Sequence, residues 1–126
     1  FSFTVQTLLS LQVEELSKYP GISKIHIAKN DKLDNAYGQS VALIAQGVIE
    51  SGSYDKVIAA SSSFGKDVVP RIGGLMDLQA ITDIVEIKDG GAKFVRPIYA
   101  GNALCTVSTK DKIKLMTVRG TNFEKV

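Results

Sequence analysis

The segment Lys56–Ala60, "KVIAA", most constrains the fold of this chain. Its apolar side chains occupy consecutive positions, so a strand formed there is apolar on both of its faces. Such strands are typical of parallel sheets, because both faces of a parallel sheet are covered. A serine-rich turn at residues 61–65 follows directly, and a helical pattern comes after the turn. The stretch therefore predicts one strand–turn–helix unit of an α/β sheet.

The rest of the chain extends this alternation of strands and helices. Helices are predicted at residues 11–19, 35–51 and 66–75, and strands at residues 1–5, 23–28, 56–60 and 80–87, with a polar loop at residues 30–35. The helix at 35–51 has the clearest pattern, since its apolar residues recur at intervals of three and four along one face. Pro70 lies inside the helix at 66–75, which we therefore expect to start late or to kink.

The pattern changes after Lys88. Asp89–Gly91 predicts a tight turn, and the residues that follow predict three closely spaced strands. These strands are expected at residues 94–98, 102–108 and 113–118, with Asp111 in a hairpin turn between the last two. We therefore expect an α/β fold, a mostly parallel sheet covered by helices that ends in an antiparallel β-meander.

The composition limits the classes of protein to which this chain can belong. The chain has 126 residues, of which 44% are hydrophobic and 22% are charged, values that suit one folded domain. Fifteen basic and thirteen acidic residues leave a net charge of +2, which is too weak to indicate a nucleic-acid or membrane partner. Cys105 is the only cysteine, so no internal disulfide forms and a reducing compartment is favoured. The first residue is not Met, and "FSFTV" resembles the middle of a strand, so we expect a segment of a longer protein.

The turn at residues 61–66 is one candidate site. Ligands of open α/β sheets bind beyond the carboxyl ends of the strands, and the free N–H groups of a helix start favour an anion. Ser62, Ser63, Gly65 and Lys66 are therefore weak candidates for cofactor binding. The stretch matches neither GxxxxGK[ST] nor GxGxxG. A helix cap with a tight turn remains the simpler interpretation.

No other group of residues predicts chemistry. His26 alternates with isoleucines and indicates an ordinary sheet histidine, and Cys105 indicates a buried, inert thiol. The acidic residues of the last half, at positions 83, 86, 89 and 111, are expected to be solvated charges. A hydrolase that uses one of the serines at 61–63 lacks a recognisable base. We therefore predict no catalytic residue and no metal ligand.

The stretch "FVRPIYAGNALCTV" breaks a strand run at Ala100–Asn102, which includes Gly101 and Asn102. Both residue types tolerate positive φ, so a sharp hairpin turn or bulge is expected there. Such a corner can direct its neighbours Arg96 and Tyr99 outward, and these residue types are common at interface hot spots. A plain hairpin explains the composition equally well.

Three stretches together resemble one family. "ASSSFGKDVVPRIGGLMDLQAITDIVEI", "FVRPIYAGNALCTV" and "KLMTVRGTNF" are similar to the amino-terminal domain of the alpha subunit of electron-transfer flavoprotein, collinearly from Ala59 to Phe123. The "YAGNA" corner and the "VRGT" end are the most distinctive parts. The resemblance implies a Rossmann-like sheet of the adenine-nucleotide-hydrolase type, with helices on both faces. It also implies that residues 1–126 are one domain, that a strand and helix precede Phe1, and that an FAD-binding domain follows Val126.

The resemblance implies an electron carrier rather than an enzyme. In such a heterodimer, FAD shuttles electrons of fatty acid β-oxidation from acyl-CoA and other flavin dehydrogenases to a membrane quinone oxidoreductase. The resemblance implies that FAD is bound mainly by the following domain, so none is expected in this segment. The residues expected to shape the interface with the beta subunit or the flavin domain are Arg96, Tyr99, Gly101 and Asn102. The mitochondrial matrix is the expected location, with the bacterial cytoplasm as the alternative. A stand-alone nucleotide-binding domain that uses residues 61–66 remains the alternative function.

One residue departs from the family pattern. Pro97 stands where the family pattern leads us to expect threonine. Because proline cannot donate a backbone hydrogen bond, we expect Pro97 at an edge or unpaired position of its sheet.

Overall fold

The computed structural model describes residues 10–29 and 38–124, which alternate helices and strands along the chain. The helices are α1 (Ser10–Ser17), α2 (Gly38–Ser51) and α3 (Ser63–Met76); the strands are β1 (Lys56–Ala60), β2 (Ala80–Ile84), β3 (Glu86–Lys88), β4 (Lys93–Ile98), β5 (Ala103–Val107) and β6 (Lys114–Val118). Within the described residues, no helix has the length and apolar character that a membrane crossing requires.

A parallel sheet with the order β1-β6-β2 forms the centre of the fold. Successive residues of β6 face opposite sides of this sheet, as the pleat of a strand requires. Leu115 therefore packs against α2 and α3, whereas Met116 packs against the other layer. Both side chains are buried, so the central strand stabilises two cores at once.

The first core lies between the sheet and the helices. Val41 and Ala45 of α2 meet Val69 and Ile72 of α3 above Leu115. Their spacing of three and four residues puts each pair on one helix face. The Ser62 side chain caps α3, which continues through Pro70 and ends at Asp77 in the left-handed conformation. The helix thus starts before the predicted residue 66, because the cap residue precedes Ser63.

The second core lies on the opposite face of the parallel sheet. There an antiparallel sheet, in the order β3-β4-β5, covers β2 and β6. Phe94 of β4 is 1% exposed and packs with Ile81, Ile84 and Met116. Among the described residues, α2 and α3 thus share one face, and antiparallel strands rather than a helix cover the other.

The α/β class and the parallel sheet with added antiparallel strands are confirmed. The predicted meander is correct for β4 and β5, which pair antiparallel, and wrong for its third strand, because β6 does not pair with β5 but lies between β1 and β2. The strand predicted at 80–87 is interrupted after Ile84, where the chain passes from one sheet to the other: Val85 N–H already donates to the Val95 carbonyl.

Residues 23–28 are not a strand, in contrast to the prediction from their alternating pattern. A strand needs a neighbour to accept its backbone hydrogen bonds, and within the part of the chain that the structure describes this segment pairs with none. The predicted strand at 1–5 and loop at 30–35, and the first residues of the helix at 35–51, lie outside the described residues.

Candidate functional site

The carboxyl ends of the three parallel strands converge on one buried hydroxyl. Thr117 of β6 is 0% exposed, and its Oγ1 accepts from Ser61 Oγ at 2.9 Å. The same oxygen accepts from the Asp83 backbone N–H at 2.9 Å. Thr117 thereby ties the end of β1 to the end of β2. Ser61 lies 56 positions and Asp83 lies 34 positions before Thr117 in the sequence, and the fold brings the three residues together.

Asp83 is the charged centre of this edge. Its carboxylate accepts from Arg119 Nε at 3.1 Å and from Arg119 Nη2, and Lys66 Nζ lies 4.0 Å from Asp83 Oδ1. The Asp83 side chain is only 18% exposed. The Arg119 hydrogen bonds, with the charge of Lys66, hold the pKa of Asp83 below its usual 3.8, although partial burial acts in the opposite direction.

This geometry corrects the expectation that Asp83 is a solvated charge. Strand β2 is irregular between Ile81 and Ile84, and Asp83 has a φ of +64°. Neither Asp83 nor Arg119 was predicted from the sequence as a site residue. The available signal was the "VRGT" motif, which follows directly on an apolar strand and so places an arginine at the carboxyl end of the sheet.

Polar groups of the turn at residues 61–66 form hydrogen bonds within the turn itself. Ser62 Oγ accepts from the Gly65 N–H at 3.1 Å, which is the predicted helix cap, and Ser63 is the first, exposed residue of α3. A Cβ on Gly65 would lie 2.0 Å from the Ala60 carbonyl oxygen, so the helix start closely approaches β1. These contacts favour the interpretation as a cap.

The described residues of this edge do not fit the pyrophosphate of FAD. A phosphate near Lys66 and Arg119 would meet the Asp83 carboxylate, which already lies between these two cations. Like charges at this distance repel. We therefore assign no flavin chemistry to these residues.

The predicted corner is a tight turn with a strained backbone. Tyr99, Ala100 and Gly101 have φ values of 50°, 54° and 90°, so positive φ begins two residues earlier than expected. Asn102 is instead right-handed, with φ of −73°. Its backbone N–H and its Nδ2 both donate to the Tyr99 carbonyl, at 3.1 and 2.9 Å. A non-glycine residue in the left-handed conformation costs about 1–2 kcal/mol. The two hydrogen bonds from Asn102 offset this cost and hold the turn.

The corner exposes apolar surface on one side. The Tyr99 side chain is 79% exposed and Leu104 is 68% exposed. Pro97 pairs with Leu104 of β5, whereas β3 ends its pairing with β4 at Val95. Pro97 therefore has a strand neighbour on one side only, as predicted from its missing donor.

Arg96 does not point outward with Tyr99. Its residue is half-buried, and its Nη2 donates to Thr82 Oγ1 at 3.0 Å. Its Nε is buried and has no hydrogen-bond partner. Buried donors are normally paired, so this atom requires an explanation.

An open cleft of about 580 Å³ lies between the corner and the sheet edge, and we call it the corner cleft. Its walls are Asp83, Arg96, Pro97, Ile98, Tyr99, Ala100, Gly101 and Arg119. The cleft thus joins the predicted corner to the ion pair of Asp83 and Arg119. Of the four interface candidates, Arg96, Tyr99 and Gly101 border it, and Asn102 supports them from behind the turn.

The remaining candidates lie elsewhere. His26 Nε2 is 3.1 Å from the Tyr54 hydroxyl, and the half-buried Cys105 pairs with Arg96 across β4 and β5. In residues 10–29 and 38–124, no group of three or more His, Cys, Asp or Glu is arranged to hold a metal ion.

Asp83→Asn is expected to lower the free energy of unfolding at pH 7 by about 1–2 kcal/mol, because it removes the charge that Arg119 and Lys66 stabilise. The pKa of Asp83 is lowered by folding, so its contribution is complete above about pH 4 and is lost as the pH falls through the folded-state value. Urea denaturation between pH 2 and 7 should therefore show a smaller acid-dependent loss in the variant.

Asp89→Asn is the matched control, since Asp89 also has positive φ and an ion pair, to Lys93. That pair is more than half exposed on both sides, so its removal should change stability by less than about 0.5 kcal/mol. Equal effects of the two substitutions would contradict the role given to Asp83.

Comparison with known proteins shows one family. The model of the electron transfer flavoprotein domain matches residues 10–126. The chain is 42% identical over 108 residues to "Electron transfer flavoprotein subunit alpha, mitochondrial" of Arabidopsis thaliana, covering 85% of the chain and 30% of that relative. The corresponding protein of Oryza sativa subsp. indica is 40% identical over 108 residues, with 85% and 30% covered.

A fungal relative extends the match. "Probable electron transfer flavoprotein subunit alpha, mitochondrial" of Cryptococcus neoformans var. grubii is 36% identical over 115 residues, covering 90% of the chain and 33% of the relative. The chain thus spans about a third of the length of these curated relatives. Their names agree with the mitochondrial location that the resemblance implied. The chain belongs to the electron transfer flavoprotein domain family, and the relatives that it matches are alpha subunits.

Proposed function

We propose that residues 1–126 are the amino-terminal domain of an electron-transfer flavoprotein alpha subunit, and that this domain is a scaffold rather than a flavin site. The observation that carries the proposal is the corner at residues 99–102. Its backbone is strained, Asn102 holds it in place, and it presents the exposed ring of Tyr99 beside an open cleft. Strain of this kind is typical of binding sites, where the surrounding structure maintains it.

The partner in this proposal is the beta subunit. The relatives are named as alpha subunits, which supports a second, different subunit in the assembly. Tyrosine is enriched at interface hot spots, and the corner exposes the ring of Tyr99, while Arg96 of β4 borders the same cleft. Gly101 and Asn102 then act by giving the corner its shape.

The complete protein carries electrons in this proposal. Its FAD, bound mainly by the part of the alpha subunit beyond residue 126, accepts electrons from acyl-CoA and other flavin dehydrogenases. It passes them to a quinone oxidoreductase from the mitochondrial matrix. The poor fit of the sheet edge to a pyrophosphate supports a role without flavin contact for this segment, because the Asp83 carboxylate already lies between the two cations there.

Tyr99→Ala in the full-length alpha subunit is expected to raise the dissociation constant for the beta subunit at least about tenfold, since it removes an exposed aromatic side chain of the type that dominates interfaces. Sedimentation velocity of the purified subunits measures this constant. Flavin absorbance per alpha subunit in the assembled complex should stay unchanged.

Tyr19→Ala provides the control, because Tyr19 is another exposed tyrosine, at 53%, and lies after α1. This substitution should leave the dissociation constant unchanged. If both substitutions leave it unchanged, the corner is not the subunit interface. If Tyr99→Ala removes the flavin absorbance from the intact complex, the division of roles is wrong.

A further inference from the structure

We infer that the free edge of β5 binds a β-strand of the second subunit through its backbone, and that this strand extends the sheet β3-β4-β5 across the subunit contact. The inference rests on the proposed function, which makes the neighbouring corner a subunit interface. It adds the chemistry of the contact: the backbone N–H and carbonyl groups of Leu104 and Thr106 pair with an extended segment of the partner.

The pairing of β4 determines which backbone groups of β5 face outward. Among the described residues β5 pairs with β4 alone, so it has one free edge. Val95 of β4 directs its carbonyl toward β3, because this oxygen accepts from the Val85 N–H. Backbone groups alternate in direction along an antiparallel strand, so the next residue, Arg96, exchanges hydrogen bonds with its partner Cys105 on β5.

Pro97 independently supports the same alternation. Proline has no N–H, so the pair of Pro97 and Leu104 is one that exchanges no hydrogen bonds. The N–H and carbonyl of Leu104, and two residues later those of Thr106, therefore point away from β4. Neither residue forms a backbone hydrogen bond with a loop or turn of the described chain. The Thr106 carbonyl has a weak contact with the Cys105 sulfur, at 4.0 Å.

The two edges of this antiparallel sheet differ in their side chains. At the β5 edge Leu104 is 68% exposed and Thr106 is also exposed, and the strand "ALCTV" has neither a charge nor a proline. At the opposite edge, the short β3 has Glu86 and Lys88, which form an ion pair at 3.5 Å. Charges on an edge strand oppose pairing with another chain, whereas an uncharged edge favours it. The side chains thus favour β5 as the edge that accepts a strand.

The position of this edge supports the second subunit as the source of the strand. The corner at residues 99–102 leads directly into β5 at Ala103, so a partner that covers the exposed Tyr99 ring also lies beside the edge. Leu104 lies opposite Pro97, which lines the corner cleft, so apolar surface continues from the corner to the edge. Surface of this kind is typically buried by another protein.

Amide hydrogen exchange at single residues tests the pairing directly, in the full-length alpha subunit with and without its beta subunit. In the free subunit the amides of Cys105 and Val107 should exchange slowly, because they donate to β4, whereas those of Leu104 and Thr106 should exchange fast. Association should slow exchange at Leu104 and Thr106 at least about tenfold, because both amides gain an acceptor. Docking through side chains alone would leave these two amides without an acceptor.

Thr106→Pro should raise the dissociation constant for the beta subunit at least about tenfold, since it removes an outward N–H but no hydrogen bond to β4. Thr106→Val keeps the N–H and the β-branched shape, so the constant should stay within about twofold. Ile87→Pro is the matched control on β3: its neighbour Glu86 pairs with Val95, so the Ile87 N–H faces the other edge and its loss should not affect association. Circular dichroism of each variant verifies that the domain is folded.

The outcomes distinguish this inference from the proposed function. If Tyr99→Ala weakens association but Thr106→Pro does not, or if the two amides stay fast in the complex, the interface remains and the strand pairing is wrong. If neither substitution weakens association, both proposals fall. Equal losses in Thr106→Pro and Ile87→Pro, or slow exchange of the two amides already in the free alpha subunit, would also overturn the pairing. If Thr106→Pro does not fold, the exchange measurement on the unmodified subunits decides.

Discussion

Phe94→Ala is expected to lower the free energy of unfolding by about 3–5 kcal/mol, the largest effect of any substitution considered for this domain. Phe94 is 1% exposed and joins the antiparallel sheet to Ile84 and Met116 of the parallel sheet. Truncation to alanine removes most of the ring contacts and leaves a cavity between the two layers. Urea denaturation followed by circular dichroism measures the loss.

With the corner as the proposed interface, the same substitution should also weaken association with the beta subunit. Phe94 lies in β4, which ends at the corner, so a loosened β4 no longer holds Arg96 and Tyr99 in the walls of the cleft. Leu104→Ala is the matched control on the neighbouring strand: Leu104 is 68% exposed, and its loss should change stability by less than about 0.5 kcal/mol. Comparable destabilisation by the two substitutions would contradict the two-layer core.

Gly65→Ala is expected to destabilise the domain by about 3 kcal/mol. An added Cβ would lie 2.0 Å from the Ala60 carbonyl oxygen, and this neighbour is backbone that cannot rotate away. Helix α3 would have to move off β1, which disturbs the Ser62 cap in the same turn. Thermal unfolding of the purified protein measures the effect.

Gly74→Ala supplies a control within the same helix. A Cβ on Gly74 meets nothing within 4 Å, so alanine should stabilise α3 by about 0.5–1 kcal/mol through its higher helix propensity. Comparison of Gly65→Ala with Gly74→Ala also tests why glycine occurs at position 65. If Gly65→Ala leaves stability unchanged, close packing does not explain this glycine, and the interpretation as an anion-binding turn regains support.

Features that depend on neighbouring residues were predicted correctly from the sequence. The run "KVIAA" and the serine cap of α3 appear where their local pattern indicated, and so does the break before β5, although its positive φ values begin at Tyr99. Strand periodicity, side-chain capping and turn propensity act over a few residues, so a single sequence contains their cause. The edge position of Pro97 belongs to the same class, because proline has no donor in any fold.

Partners distant in sequence were not predicted. The alternating pattern at residues 23–28 describes a strand only if another strand lies beside it, and the described chain provides none. Strand β6 follows β5 closely in sequence yet pairs between β1 and β2. The turn at Asp111 therefore leads back to the parallel sheet, and its carboxylate accepts from the Gln79 N–H instead of closing a hairpin.

The candidate site shows the same division. The sequence alone predicted the parts of the candidate site, which are a sharp corner near Arg96 and Tyr99 and a capped turn at residues 61–66. Only the tertiary structure brought Asp83 between Arg119 and Lys66 and turned Arg96 inward to Thr82. The physical reason is that turns and caps are settled by contacts a few residues apart. Charge balance and burial, in contrast, depend on which strand ends meet in space.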